Sequence, residues 1–165
     1  MKHFLILTIS CLFITSCASI GPLYPEASKS IPQLSRNQAR LYFLRTNEHS
    51  LYLARNAAIT IGENDGGACP MGGFFYRDLA PGKYVIKTDM WDLPGSCKLV
   101  LNAQEGDVYY FEITPRMKSW TTYLTTGFLG NAIEASSQDC SGAFAIVPIP
   151  EEEAVKKLSD LGIVK

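Results

Sequence analysis

Histidine is almost absent from this chain. There are two in 165 residues: His3 near the N-terminus, and His49 in the polar stretch Thr46-Asn47-Glu48-His49-Ser50. A Ser-His-Asp or Cys-His arrangement would have to run through one of them. A histidine flanked by Asn, Glu and Ser reads first as an exposed loop residue. Charge of one sign is also missing. The chain has 15 Lys and Arg against 16 Asp and Glu, which excludes the concentrated basic surface that nucleic acid requires. Cys69, Cys97 and Cys140 are far apart in sequence, which argues against a zinc site. No cofactor and no metal is expected. No apolar run reaches the about 20 residues that span a bilayer.

What is present begins with Met1-Lys2-His3 and an apolar run from Phe4 to Ile14. A basic start followed by a short apolar stretch has the form of a secretory signal. The run ends in Ile14-Thr15-Ser16-Cys17, which looks like a bacterial lipobox: an aliphatic residue, two small residues, then cysteine. The alternative is an ordinary cleavage site beside an incidental cysteine. The basic start, the apolar length and the tetrapeptide agree on the lipobox. In signals of that kind Cys17 is acylated and becomes the first residue of the mature protein, anchored in a membrane. Bacterial lipoproteins typically carry more than one acyl chain, which holds firmly where a single chain does not. Ala18, rather than Asp, follows the cysteine; in a two-membrane envelope this favours the outer membrane, with the domain facing the periplasm.

Removing residues 1–16 from 165 leaves 149, the size of one domain. Residues 18–36 carry three prolines, several serines and no periodicity, and the stretch 17–37 reads as a lipidated tether reaching up to roughly 60 Å. From residue 38 the pattern is β, and the domain spans 38–165. Strands are expected at Gln38–Arg45, Leu51–Ile61, Phe74–Leu79, Lys83–Trp91, Cys97–Ala103, Val108–Thr114 and Gly142–Ile149. Turns are expected at 62–67, Pro81-Gly82, Leu93-Pro94-Gly95 and Glu105-Gly106-Asp107. Tyr84, Ile86, Thr88 and Met90 share one face of their strand; Tyr109, Phe111 and Ile113 share one face of theirs. Pro150 and three glutamates open a short terminal helix over 150–162. Short strands at this spacing predict a mostly β protein, a small antiparallel sandwich of about seven strands with that helix at its C-terminus.

The stretches ARLYFLR (39–45), GGFFYRDLAPGKYVIKT (72–88) and GDVYYFEI (106–113) resemble domain-of-unknown-function family 2846, a group found largely in bacterial lipoproteins. The Leu-x-Pro-Gly-Lys-Tyr turn is also similar to turns in carboxypeptidase-regulatory-like small sandwiches. The resemblance implies a fold and a location and no chemistry. The segment from Met117 to Ser141 lies outside the recognised part.

Among the cysteines left after processing, one disulfide and one free thiol is the simplest count in an oxidising compartment. Cys69 and Cys97 start strands at the same end of the domain, which favours their pairing, although two strands flanking a third lie about 10 Å apart. Cys97 with Cys140 is the alternative. Glu63 and Asp65 faintly resemble a calcium loop but lack its later glutamate, and a plain turn is the simpler reading. Asp78 beside Arg77 is expected as a surface pair or turn cap. The uncharged stretch Ser119–Ile133 places Trp120, Tyr123, Leu124 and Phe128 at helical spacing. It is either a contact surface for membrane or partner, or a connection packed on the sandwich. The residues favour a non-enzymatic binding or interaction module of the envelope. An assembly component of an envelope complex using 119–133 is the second reading, and an unrecognised periplasmic hydrolase the weakest. The expected partners are the membrane, through Cys17, and an envelope protein; a small-molecule or cell-wall ligand is left open.

Overall fold

A computed structural model describes residues 20–48, 52, 54–116, 140 and 142–164. Cys17, His49, Trp120, Tyr123, Leu124 and Phe128 lie outside the described residues. Among the described residues no helix is long and apolar enough to cross a membrane.

The strands are β1 (Ile20–Leu23), β2 (Ala39–Arg45), β3 (Ala57–Ile61), β4 (Asn64–Cys69), β5 (Gly73–Leu79), β6 (Gly82–Met90), β7 (Leu93–Ala103), β8 (Val108–Pro115), β9 (Phe144–Ile149) and β10 (Gly162–Val164). The helices are α1 (Tyr24–Ala27), continued by a 3-10 turn at Ser28–Ser30, and α2 (Glu151–Leu158). A six-stranded sheet in the order β1-β10-β5-β2-β8-β9 packs on a four-stranded sheet in the order β4-β3-β6-β7. The protein is thus the expected mostly β sandwich with a short C-terminal helix. It has ten described strands rather than about seven. Two pairs, β2 with β8 and β10 with β5, are parallel, because the chain passes through the second sheet between them.

The sequence ARLYFLR does not alternate because β2 is buried on both faces, as a central strand must be. Leu41 and Phe43 face the four-stranded sheet, while Tyr42 and Leu44 face the layer of α1 and α2. Register then lines up aromatics across three strands. Phe75, Phe43 and Phe111 stack at 5.1 and 5.5 Å between ring centroids on the inner face. Tyr76, Tyr42 and Tyr110 follow one another at 5.9 and 5.2 Å on the outer face. Such cross-strand ring pairs contribute about 0.5–1.5 kcal/mol each beyond the area they bury. Arg40 continues the outer row. Its guanidinium forms two hydrogen bonds to the Asp78 carboxylate, at 2.7 and 2.8 Å, donates to the Pro32 carbonyl and lies over the Tyr76 ring. Asp78 is therefore held across the β2–β5 pair rather than by its neighbour Arg77, which lies over Phe75.

On β6 the expected inward face is present, with Ile86, Thr88 and Met90 buried. Several boundaries differ from expectation. The stretch read as a tether is structured from Ile20 onward: β1 pairs with β10, Tyr24 packs against Phe74 and Tyr42, and Ala27 is buried. Its prolines occupy positions that suit regular structure, Pro22 on an edge strand and Pro25 in the first turn of α1. The strand expected over Leu51–Ile61 is confined to Ala57–Ile61. The turn cluster 62–67 narrows to Gly62-Glu63, with Gly62 at φ +62°, and the rest becomes β4. The Leu93-Pro94-Gly95 turn belongs to β7, the reversal being made by Trp91-Asp92 with a register shift beside it. The terminal helix stops at Leu158 rather than 162, and Gly162–Val164 returns as a strand between β1 and β5.

Burial raises the pKa of Tyr42, and burial with the charge of Glu151 pushes Tyr110 up to about 12. The folded state thus prefers the neutral phenol. That preference is fully in place below the unfolded value of about 10 and is lost as pH rises through the folded value. Stability to urea should accordingly fall between about pH 10 and about pH 12, more shallowly in Tyr110→Phe than in the unmodified protein, with stability measured at each pH by tryptophan fluorescence.

Candidate functional site

The inward row of β2 ends on a charge. Arg45 is 1% exposed, and burial lowers its pKa. Its guanidinium lies 4.6 Å from the centroid of the Phe144 ring and donates to the backbone carbonyls of Tyr52, at 2.9 Å, and Arg55. Tyr52 packs edge-on against the same phenyl ring. Arg45 therefore pins the chain leading into β3 onto the start of β9, and that chain carries Arg55.

Arg55 reaches the tip of the β6–β7 hairpin. Its guanidinium lies 2.7 Å from the Asp92 carboxylate and 5.4 Å from the centroid of the Trp91 ring. Trp91 is 81% exposed, the most exposed of the large apolar side chains described. Five residues past the tip of this hairpin, Cys97 sits opposite Thr88 and is joined to Cys140 by a disulfide. The Arg116 amide donates to the Ala143 carbonyl at 2.7 Å, and its guanidinium donates to the Cys140 carbonyl. Gly142 lies against the backbone of Ser96, where even a Cβ would sit 2.9 Å from its Cα. Both flanks of the segment 117–139 are thus fastened beside the hairpin. An exposed indole under a carboxylate-paired cation on a disulfide-braced corner is suited to contact a macromolecular surface: tryptophan and arginine are enriched among the residues that carry binding energy.

The sequence favoured a Cys69–Cys97 bond, and the structure forms the alternative, Cys97–Cys140. Cys69 ends β4, separated from β7 by β3 and β6 in the same sheet, and faces the core. Its thiol is fully buried and its pKa pushed up to about 12 by burial, which leaves it unreactive. Asp65, in β4, accepts a hydrogen bond from the Gly67 amide at 2.8 Å, where the pairing of β3 and β4 shifts register. Among the described residues no group of three or more His, Cys, Asp or Glu could hold a metal ion.

A second concavity, an open cleft of about 610 Å³, lies between α2 and the residues after β2, lined by Thr46, Asn47, Glu48, Glu153, Lys156, Lys157, Asp160 and Leu161. Its central charge is already matched. Lys157 lies 2.6 Å from the buried Glu112 and 2.8 Å from Glu153. Burial works against the ammonium, but these carboxylates outweigh it and raise its pKa. The arrangement braces α2 against β8.

The alternation over Lys83–Trp91 puts Trp91 on the face opposite Tyr84, Ile86, Thr88 and Met90, but that alternation does not by itself single it out. The signal was available, since a tryptophan at the end of an alternating strand and beside a turn has nowhere to be buried. Arg55 and Arg45 carried no comparable signal, because their partners lie in other strands or are backbone atoms.

The fold and this corner define a small two-sheet domain with its features at one end. A family model described as a protein of unknown function (DUF2846) matches residues 35–127, more than half of the 165 residues. The chain belongs to that family. The match runs eleven residues into the stretch from Met117 that lay outside the recognised part, and it stops before β9, α2 and β10. No curated protein and no solved structure matches the chain.

The Cys97–Cys140 bond closes a sequence separation of 43 residues. Replacing both cysteines with Ser should lower stability by about 4 kcal/mol on the chain-entropy account, read as a shift in urea midpoint. Reducing the unmodified protein should reproduce the shift. Peptide mapping of the unreduced protein should find Cys69 unlabelled by thiol reagents until the chain is denatured.

Proposed function

We propose that the protein is a lipid-anchored bacterial envelope lipoprotein whose domain acts as a non-enzymatic interaction module, contacting a partner through the Trp91 corner. The anchor reading rests on the basic and apolar N-terminus, the Ile14-Thr15-Ser16-Cys17 tetrapeptide and the resemblance to a family found largely in lipoproteins. Ala18 after the cysteine supports the outer membrane, with the domain in the periplasm. The observation that carries the contact reading is Trp91, exposed to solvent with the guanidinium of Arg55, itself paired with Asp92, over its ring. A side chain held in this way loses little freedom on binding, which favours affinity.

A second reading, an assembly part of a larger envelope complex using 119–133, is favoured by one further observation. Arg116 and Cys140, which flank that segment, are fastened at the same corner. The uncharged Trp120, Tyr123, Leu124 and Phe128 would then extend the surface begun by Trp91.

Chemical cross-linking in intact cells, followed by mass spectrometry, tests both. The interaction reading expects one reproducible partner whose adduct is lost in Trp91→Ala. Because Trp91 is so exposed, that change should alter stability by no more than about 0.5 kcal/mol. Loss of the adduct only in Trp120→Ser with Phe128→Ser would move the contact to the second reading. Adducts scattered over abundant envelope proteins, unchanged in every variant, would defeat both.

A further inference from the structure

The outermost strand of the six-stranded sheet exposes two large apolar side chains, Ile20 at 47% and Leu23 at 53%. Nothing in the sheet lies beyond them, since β1 pairs on one side only, with β10. Another strand is a poor candidate to cover this edge. β1 has four residues, and Pro22 within it offers no backbone N–H. The neighbouring exposed charges, Glu26 and Lys29, pair with each other at 2.8 Å, so the edge has no net charge to attract an ionic partner.

The length of chain before this strand names the occupant. Ile20 is the third residue after Cys17. Three residues span at most about 10 Å when fully extended. If acyl chains enter the bilayer at Cys17, β1 cannot leave the neighbourhood of the headgroups, whose layer is itself about 5–8 Å deep on each side. Two exposed apolar side chains held at that distance are placed where amphipathic surfaces settle into a membrane interface.

We infer that the β1 edge, through Ile20 and Leu23, rests in the lipid interface, so that the domain sits directly on the membrane in a fixed orientation. This deepens the lipoprotein reading and rests on it. The orientation follows from the sheet order. β9, the opposite edge, lies five strand spacings from β1, about 24 Å away. The Trp91 corner is on that far side, where β6 and β7 pack over β9, and it faces away from the lipid.

The test uses the full processed protein in vesicles of phosphatidylethanolamine and phosphatidylglycerol, with and without bromine on the upper acyl carbons. Mass spectrometry of the N-terminal peptide first establishes whether Cys17 is acylated. Ile20→Trp and Leu23→Trp are each made in a background of Trp91→Phe and Trp120→Phe. A third protein, Trp120→Phe alone, keeps Trp91 as its reporter. The expected result is about twofold quenching by brominated lipid of the tryptophan introduced at position 20 or 23, as for an indole seated in the interface. Trp91 should be unaffected. An acylated protein in which neither introduced tryptophan is quenched overturns the inference and leaves the anchor standing. Quenching of Trp91 equal to that at β1 overturns the orientation. A chain without acyl groups on Cys17 overturns the inference together with the reading beneath it.

Discussion

The register of β5, β2 and β8 is held by two aromatic rows on opposite faces of the same three strands. Phe75, Phe43 and Phe111 fill the space between the sheets, and Tyr76, Tyr42 and Tyr110 line the layer under the two helices. A slip of one residue in any of these strands would turn a phenol into the inner core and a phenyl ring outward. The hydroxyls would then be buried away from the Arg40 and Glu151 side that now receives them. The rest of the molecule is arranged around this constraint. The inner row sets the surface on which β3, β4, β6 and β7 pack, and the outer row sets where α1 and α2 can lie.

The same strand that centres both rows also reaches the corner. Leu41, Phe43 and Arg45 are successive inward positions of β2, and the last replaces packing with hydrogen bonds. A guanidinium at that point would be costly to bury without acceptors. The backbone carbonyls of Tyr52 and Arg55 supply them, and the loop they belong to is thereby positioned to hold Arg55 against Trp91 and Asp92. The exposed indole is thus coupled to the core through a short series of contacts, none of them with a neighbour in sequence.

How much of this could be read beforehand depended on whether the determining interactions are local. The strands with an alternating pattern or an aromatic run, β2, β5, β6, β8 and β9, were legible because periodicity and β-propensity act within a strand. The family resemblance was carried by the residues of the two aromatic rows. β1 and β10 were missed because a four-residue and a three-residue strand hold their conformation only by pairing with each other and with β5. The prolines of the N-terminal stretch suggested a tether, but Pro22 and Pro25 sit where an edge strand and a helix start tolerate them. β4 was hidden by its glycines. At the site, Cys97 was recognised and its partner was left between two choices, because strand order across the sheets decides it. Of the Arg45–Arg55–Trp91 series only Trp91 left a signal, since Arg45 acts through backbone carbonyls and Arg55 through a hairpin far from it in sequence.

The position of β10 bears on how the chain is made. Its three residues come after every other described strand in sequence, yet they lie between β1, the first described strand, and β5. Until they emerge, β1 has no partner and Phe74 lacks part of its cover, so the six-stranded sheet cannot close on a growing chain. A sheet whose first described strand waits for its last stays open until residues 162–164 are made.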